Sequence, residues 1–233
     1  MGYRFFTQDI ASVVLRLAGK AGIRVSLPEE AHGLCCSQIW EHKGNPAGQR
    51  LTANRTIESF YKWSGGGRIP IFCDTTSCTH TLLFETGGDI LTPENREKYK
   101  QLKIMDITQW LKEVVLPRIK VIRPKNRILL HPTCSCQIMG LTPVLLDIAR
   151  KCAREVILPD NWGCCGASGD RGFIFPELSD SATRDERDEI GHESFDGCYS
   201  LARTCEIAMQ DHIEQPYESI VYLVDETIQD QGT

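Results

Sequence analysis

GIRVSLPEEAHGLCCSQ, Gly22 to Gln38, and AREVILPDNWGCCGAS, Ala153 to Ser168, follow one order: a short apolar β-forming run, a Leu-Pro, a polar loop and two adjacent cysteines. Another cysteine follows each pair at a similar distance, Cys78 lying 42 positions after Cys36 and Cys205 lying 40 after Cys165. Between the copies the pair moves by 129 positions (35 to 164) and the later cysteine by 127 (78 to 205). Agreement that close marks an internal repeat. The second copy has a lead-in, HPTCSCQIMGLTPVLLDIARKC, in which Met139-Gly140 precedes an amphipathic helix. Met1-Gly2 stands at the same place ahead of Ile10, Val13, Val14 and Leu17, which share one helical face. The first copy therefore lacks a counterpart of RILLHPTCSC, and the chain is expected to begin inside its own repeat, as a fragment or the product of a split gene.

The apolar runs IRVSL, IPIFC, RILLH and EVILP alternate with helical patterns near 9–21, 46–63, 106–119, 140–152 and 217–229. This is the signature of an α/β fold, here two repeated βαβ-type halves with mainly parallel strands. The first half, 1–124, is incomplete at its N-terminus; the second is 125–233, and the two join near Pro124 in IKVIRPKNR. Cysteines cluster at the ends of these runs. Cys73 and Cys78 come at or just past IPIFC, Cys134 and Cys136 just past RILLH, and both pairs lie in loops after Leu-Pro. In open α/β sheets the carboxyl edge of the strands is where ligands bind.

Composition narrows the class. With 41% hydrophobic and 24% charged residues in 233, the chain can bury a core without staples. The 26 basic residues are scattered and outnumbered by 31 acidic ones, so no nucleic-acid footprint is present. No apolar run approaches the roughly 18 residues of a membrane-spanning helix, and the N-terminus lacks the order of a signal peptide, so a cytoplasmic location is expected. Eleven cysteines in that compartment point to metal binding or redox chemistry rather than to structural bridges. A vicinal pair cannot easily close a disulfide on itself, because the small ring violates the usual geometry of that bond.

CCGASGDRGFIFPELSDSAT, HPTCSCQIMG and TCEIAM resemble the second half of the cysteine-rich CCG domain, and CCSQIWEHKG with CDTTSCTHTL resembles its first half. That domain occurs in glycolate oxidase iron–sulfur subunits, in the cysteine-rich subunit of heterodisulfide reductase and at the C-terminus of FAD- and iron–sulfur-containing D-lactate dehydrogenases. The GDRGF, FPELS and SAT run with the TCE ending is most similar to the last of these, and the resemblance covers residues 9 to 226. It implies an electron-transfer module holding a cluster of the 4Fe-4S type, non-cubane in heterodisulfide reductase. It also implies an FAD-binding domain or subunit and a ferredoxin-like iron–sulfur domain elsewhere, a quinone or cytochrome as acceptor, and a place in the cytoplasm or peripheral to the membrane. No G-x-G-x-x-G opens a helix here, and the flavin domain of the resembled enzymes is not in this chain, so lactate oxidation by the chain alone is not expected.

Carried onto these residues, thiolates at Cys134, Cys164, Cys165 and Cys205 form a four-sulfur cage suited to an iron–sulfur cluster or to zinc. Buried structural thiols and dithiol redox chemistry at Cys164 and Cys165 are the competing readings. Gly163, Gly166 and Gly169 let backbone N–H groups approach the sulfurs. The first site keeps Cys35, Cys36 and Cys78, with Ser37 where the family has glycine; Cys73 could substitute for the leading cysteine though the family does not usually place a ligand there, and inert or oxidised thiols are the competing reading. Lys43 and Arg171 follow the two pairs and could offset thiolate charge or steer an anion. His131 and His80 lie beside ligand positions, as hydrogen-bond donors, replacement ligands or ordinary structural histidines. Cys136, Cys152 and Cys198 have no counterpart in the repeat and read as core packing. The tryptophans read as packing residues too, and TRDERDEIGHE from Thr183 as a solvated helix face.

Overall fold

The computed structural model describes residues 10–228. Along the chain come α1 (Ile10–Lys20), α2 (Gln38–His42), α3 (Pro46–Trp63), β1 (Ile71–Cys73), α4 (Thr76–His80), α5 (Pro93–Tyr99), β2 (Ile104–Asp106) and α6 (Ile107–Gln109). Then follow β3 (Lys125–Leu130), α7 (Cys134–Ile138), α8 (Thr142–Cys152), β4 (Ala153–Ile157), α9 (Arg171–Ile174), α10 (Pro176–Ile190), β5 (Gly197–Ser200), α11 (Arg203–Ile213), β6 (Tyr217–Ser219) and α12 (Ile220–Thr227). The fold is α/β, and its described sheets are parallel throughout: β4-β3-β5-β6 in one and β1-β2 in the other.

Two compact units divide the chain, one made of residues up to Val25 together with Thr108 onward, the other of Ser26–Ile107. These lines run differently from the repeat boundary near Pro124, and packing explains why. Helix α1 buries Val13, Val14, Leu17 and Ala18 and lies against α12, while the helical turn Trp110–Val115 lies against α8. Arg16 and Asp225 close the α1–α12 contact with a forked ion pair, Nε at 3.1 Å from both carboxylate oxygens and Nη2 at 2.6 Å from one.

In the larger unit β3 and β5 are the inner strands, and β3 is paired on one side with β4 and on the other with β5. Its Ile128, Leu129 and Leu130 are fully buried, as a parallel strand covered on both faces requires. Helix α8 starts with Thr142-Pro143, where a missing N–H is harmless, and buries Leu145, Ile148, Ala149 and Cys152 on one stripe. The smaller unit pairs Ile71, Phe72 and Cys73 with Ile104, Met105 and Asp106. Helix α3 covers it with Ala53 and Ile57, which pack on Leu91.

IPIFC, RILLH and EVILP are strands as expected, and helices occupy most of 9–21, 46–63 and 140–152. IRVSL is a correction, since residues 23–27 carry no strand. Its counterpart β4 is an edge strand held only by β3, and among the described residues the first half has no equivalent of β3 to pair with it. The helix expected over 217–229 opens instead as β6, because Tyr217–Ser219 completes the sheet beside β5; Ser219 then caps α12. Strands β2 and β5 had no apolar run long enough to announce them. Met1-Gly2, on which the beginning of the first repeat was aligned, lies outside the described residues.

Leu17 is fully buried while Leu15, two residues earlier on α1, is 42% exposed. Leu17→Ala should cost about 2–5 kcal/mol in urea unfolding, and Leu15→Ala no more than about 0.5 kcal/mol. Equal effects would mean that α1 presents another face.

Candidate metal centre

The carboxyl ends of β3 and β5 and the loop after β4 deliver four cysteines to one place. Thr133 ends the turn after β3 and accepts the Cys136 N–H at 3.2 Å, which sets Cys134 as the first residue of α7. Cys205 lies in the first turn of α11, directly after β5. Cys164 and Cys165 arrive in the loop after β4, the first exposed and the second buried. The Sγ atoms of Cys165 and Cys205 are 2.9 Å apart. Cys134, Cys164 and Cys165 lie close enough to bear on one another's ionisation.

That crowding governs the protons. The Cys164 thiol is pulled well below its ordinary range, first by the hydrogen bond from Cys134 and then by that from Cys165, with further help from the Gly166 N–H and His131. Cys134 and Cys165 move upward, each chiefly through its hydrogen bond with Cys164, with burial adding to both. Several anions this close would repel one another, so the thiols resist ionising together. A cation among them would reverse that preference. No group of three or more His, Cys, Asp or Glu among the described residues is set as a metal cage in this arrangement. The 2.9 Å contact is shorter than a tetrahedral site allows, since metal–sulfur bonds of about 2.3 Å in a tetrahedron place the sulfurs roughly 3.8 Å apart. Cys165 and Cys205 would separate by about 1 Å to accept one. In donor type and convergence the four side chains fit a thiolate-bound metal.

Gly166 shapes the loop. Its φ is +74°, its N–H reaches the Cys164 Sγ at 3.4 Å, and a Cβ there would lie 2.6 Å from the Leu178 carbonyl oxygen. Arg171 is exposed at the start of α9.

Behind the thiols stands an imidazole. His131 follows β3, is fully buried, and places Nδ1 2.9 and 3.1 Å from the two carboxylate oxygens of Glu186, itself 2% exposed. Its Nε2 is enclosed with no hydrogen-bond partner among the described residues, a state that costs about 1–3 kcal/mol when nothing fills it. Glu186 corrects the reading of TRDERDEIGHE as a solvated face. Ser179, Thr183, Glu186 and Ile190 form the buried stripe of α10, and a glutamate on that small and apolar stripe was the signal available in the sequence.

The smaller unit repeats the arrangement in reduced form. Cys35 and Cys78 both lie close enough to Cys36 to shift its ionisation. Thr56 on α3 ties the Cys35 carbonyl at 2.9 Å. Ser37 takes the role of Gly166: φ is +80°, and its N–H lies 3.4 Å from the Cys35 Sγ. A buried serine therefore occupies a left-handed backbone conformation that favours glycine. Cys73, at the end of β1, is pushed up to about 12 by burial and then by Asp74, Asp106 and Cys36. His80 is engaged elsewhere, 3.3 Å from Glu85 and stacked on Phe84. Lys43 is exposed at the end of α2. Cys136, Cys152 and Cys198 are buried in the core of the larger unit.

No family model matches the chain, and no curated protein matches it.

The two loops differ in what each backbone position tolerates. Gly166→Ala should cost about 2–5 kcal/mol through left-handed strain and the clash with Leu178. Ser37→Gly should raise stability by up to about 1 kcal/mol. Chemical unfolding checks both signs, and a neutral Gly166→Ala would show that the loop re-forms another way.

Proposed function

We propose that this chain is an electron-transfer module that holds an iron–sulfur cluster on Cys134, Cys164, Cys165 and Cys205. One observation carries the reading: cysteines spread over 71 positions (134 to 205) converge at the carboxyl edge of a parallel sheet, with the sulfurs of Cys165 and Cys205 2.9 Å apart and Cys134 and Cys164 near enough to shift each other's ionisation. Core packing alone does not require this, since Cys136, Cys152 and Cys198 satisfy it singly and apart. The resemblance to CCG domains supports the same chemistry and extends it to a D-2-hydroxy-acid flavoprotein. An FAD-bearing domain or subunit would supply electrons, and a ferredoxin-like centre, quinone or cytochrome would receive them. The thiols of Cys35, Cys36 and Cys78, with Cys73 beside them, form the second and weaker candidate. No described helix is long and apolar enough to cross a membrane.

When bound, the cluster would supply one-electron redox chemistry; everything else belongs to the chain. Cys165 and Cys205 anchor from the core side, where burial keeps water away and tunes the potential. Cys134 and Cys164 are exposed, which puts the electron's exit on the solvent side. The Gly166 N–H aimed at the Cys164 sulfur stabilises added negative charge.

A thiol–disulfide reading has one observation of its own, the 2.9 Å approach of Cys165 to Cys205. It shifts the reactive pair away from the vicinal Cys164 and Cys165. Burial and a raised thiol make Cys165 a slow nucleophile, whereas exposed Cys164 is the reactive thiolate.

Protein made with iron and purified without air should be brown, absorbing broadly near about 400 nm. Cys165→Ser should abolish metal at the second-half site, while Cys36→Ser should leave that metal in place. Colourless protein with stoichiometric zinc would replace the electron-transfer reading with a structural docking module. Metal-free protein with rapid alkylation at Cys164 would establish the dithiol reading instead.

A further inference from the structure

We propose that His131 is an imidazole ligand of the metal centre, its Nε2 joining the four sulfurs while Glu186 fixes the ring from behind. This rests on the metal-centre reading above. A carboxylate can only accept, so the nitrogen held between the Glu186 oxygens carries the proton. In the neutral ring the lone pair then sits on Nε2. That atom is enclosed, and no described residue offers it a hydrogen bond.

The backbone leaves the ring little freedom. The His131 N–H is bound to the Tyr199 carbonyl at 2.9 Å, and its own carbonyl accepts from Ser200 Oγ at 2.8 Å. The ring stands edge-on to Tyr217, with centroids 6.3 Å apart, and Tyr217 packs in the same core as Cys165 and Cys205. His131 also lies near enough to Cys164 for a charge on its ring to bear on that thiol. A buried carboxylate behind an imidazole whose far nitrogen is open is the arrangement that fixes the tautomer of metal-binding histidines. It also gives Glu186, distant in sequence from every cysteine of the site, a reason to be buried. The centre would then be a mixed sulfur and nitrogen site, which raises its reduction potential above that of an all-sulfur one.

The test uses the full chain, loaded with ferrous iron and sulfide without air, reduced, and examined by pulsed electron paramagnetic resonance. Protein labelled with 15N at histidine should show a nitrogen hyperfine coupling with the 15N pattern in place of the 14N pattern of unlabelled protein. H131A should lose the coupling, and E186Q should weaken iron binding about 10–100-fold. Fully loaded protein with no strong histidine coupling, or an H131A protein that keeps it, would overturn the ligand and leave a buried structural pair, with the iron reading intact. Failure of the unmodified chain to take up iron would remove both readings. The labelled unmodified protein decides the matter even if H131A does not fold.

Discussion

The site depends on the parallel pairing around β3. An inner strand hydrogen-bonded on both sides in the same direction forces its neighbours to end on the same edge. Whatever follows β3, β4 and β5 is then delivered together: His131 and Cys134 after the first, Cys164 and Cys165 after the second, Cys205 after the third. Fully buried Ile128, Leu129 and Leu130 fix the register of that delivery, since a slip of one residue would turn every side chain to the opposite face.

Delivery to one edge creates an electrostatic problem that defines the chemistry. Thiols gathered this closely resist ionising together, and in the second-half site the Cys164 thiol is the one pulled downward, by hydrogen bonds from Cys134 and then Cys165. In the first half Cys73 is pushed up by burial and then by Asp74, Asp106 and Cys36. The loop backbones of the two sites differ as well, with glycine at residue 166 and strained serine at the matching residue 37. The first-half loop keeps the outline of the second with a less favourable backbone.

Much of this was written in spacing. The two Leu-Pro loops and their cysteine pairs, the later cysteines, the strands RILLH and EVILP and the helices around them are local patterns, and local patterns survive being read one residue at a time. So were all seven cysteines that now join in two groups. IRVSL failed because a strand is not a property of its own residues, and β-forming side chains without a partner strand stay extended but unpaired. The short strands β2, β5 and β6 escaped for the converse reason: neighbours, not composition, make them strands.

By itself the sequence determined that the chain is an α/β protein, and that Cys134 and the Cys164–Cys165 pair come just after strands, because periodicity and spacing act along the chain. Only the tertiary structure decided which thiol is pulled toward ionisation, how Ser37 bears the conformation of a glycine, and that Glu186 leaves a charged helix to hold His131. Those outcomes arise from contacts between residues far apart in sequence, 55 positions in the case of His131 and Glu186. Burial and the proximity of other charges set the state of each such group, and both exist only once the chain has folded.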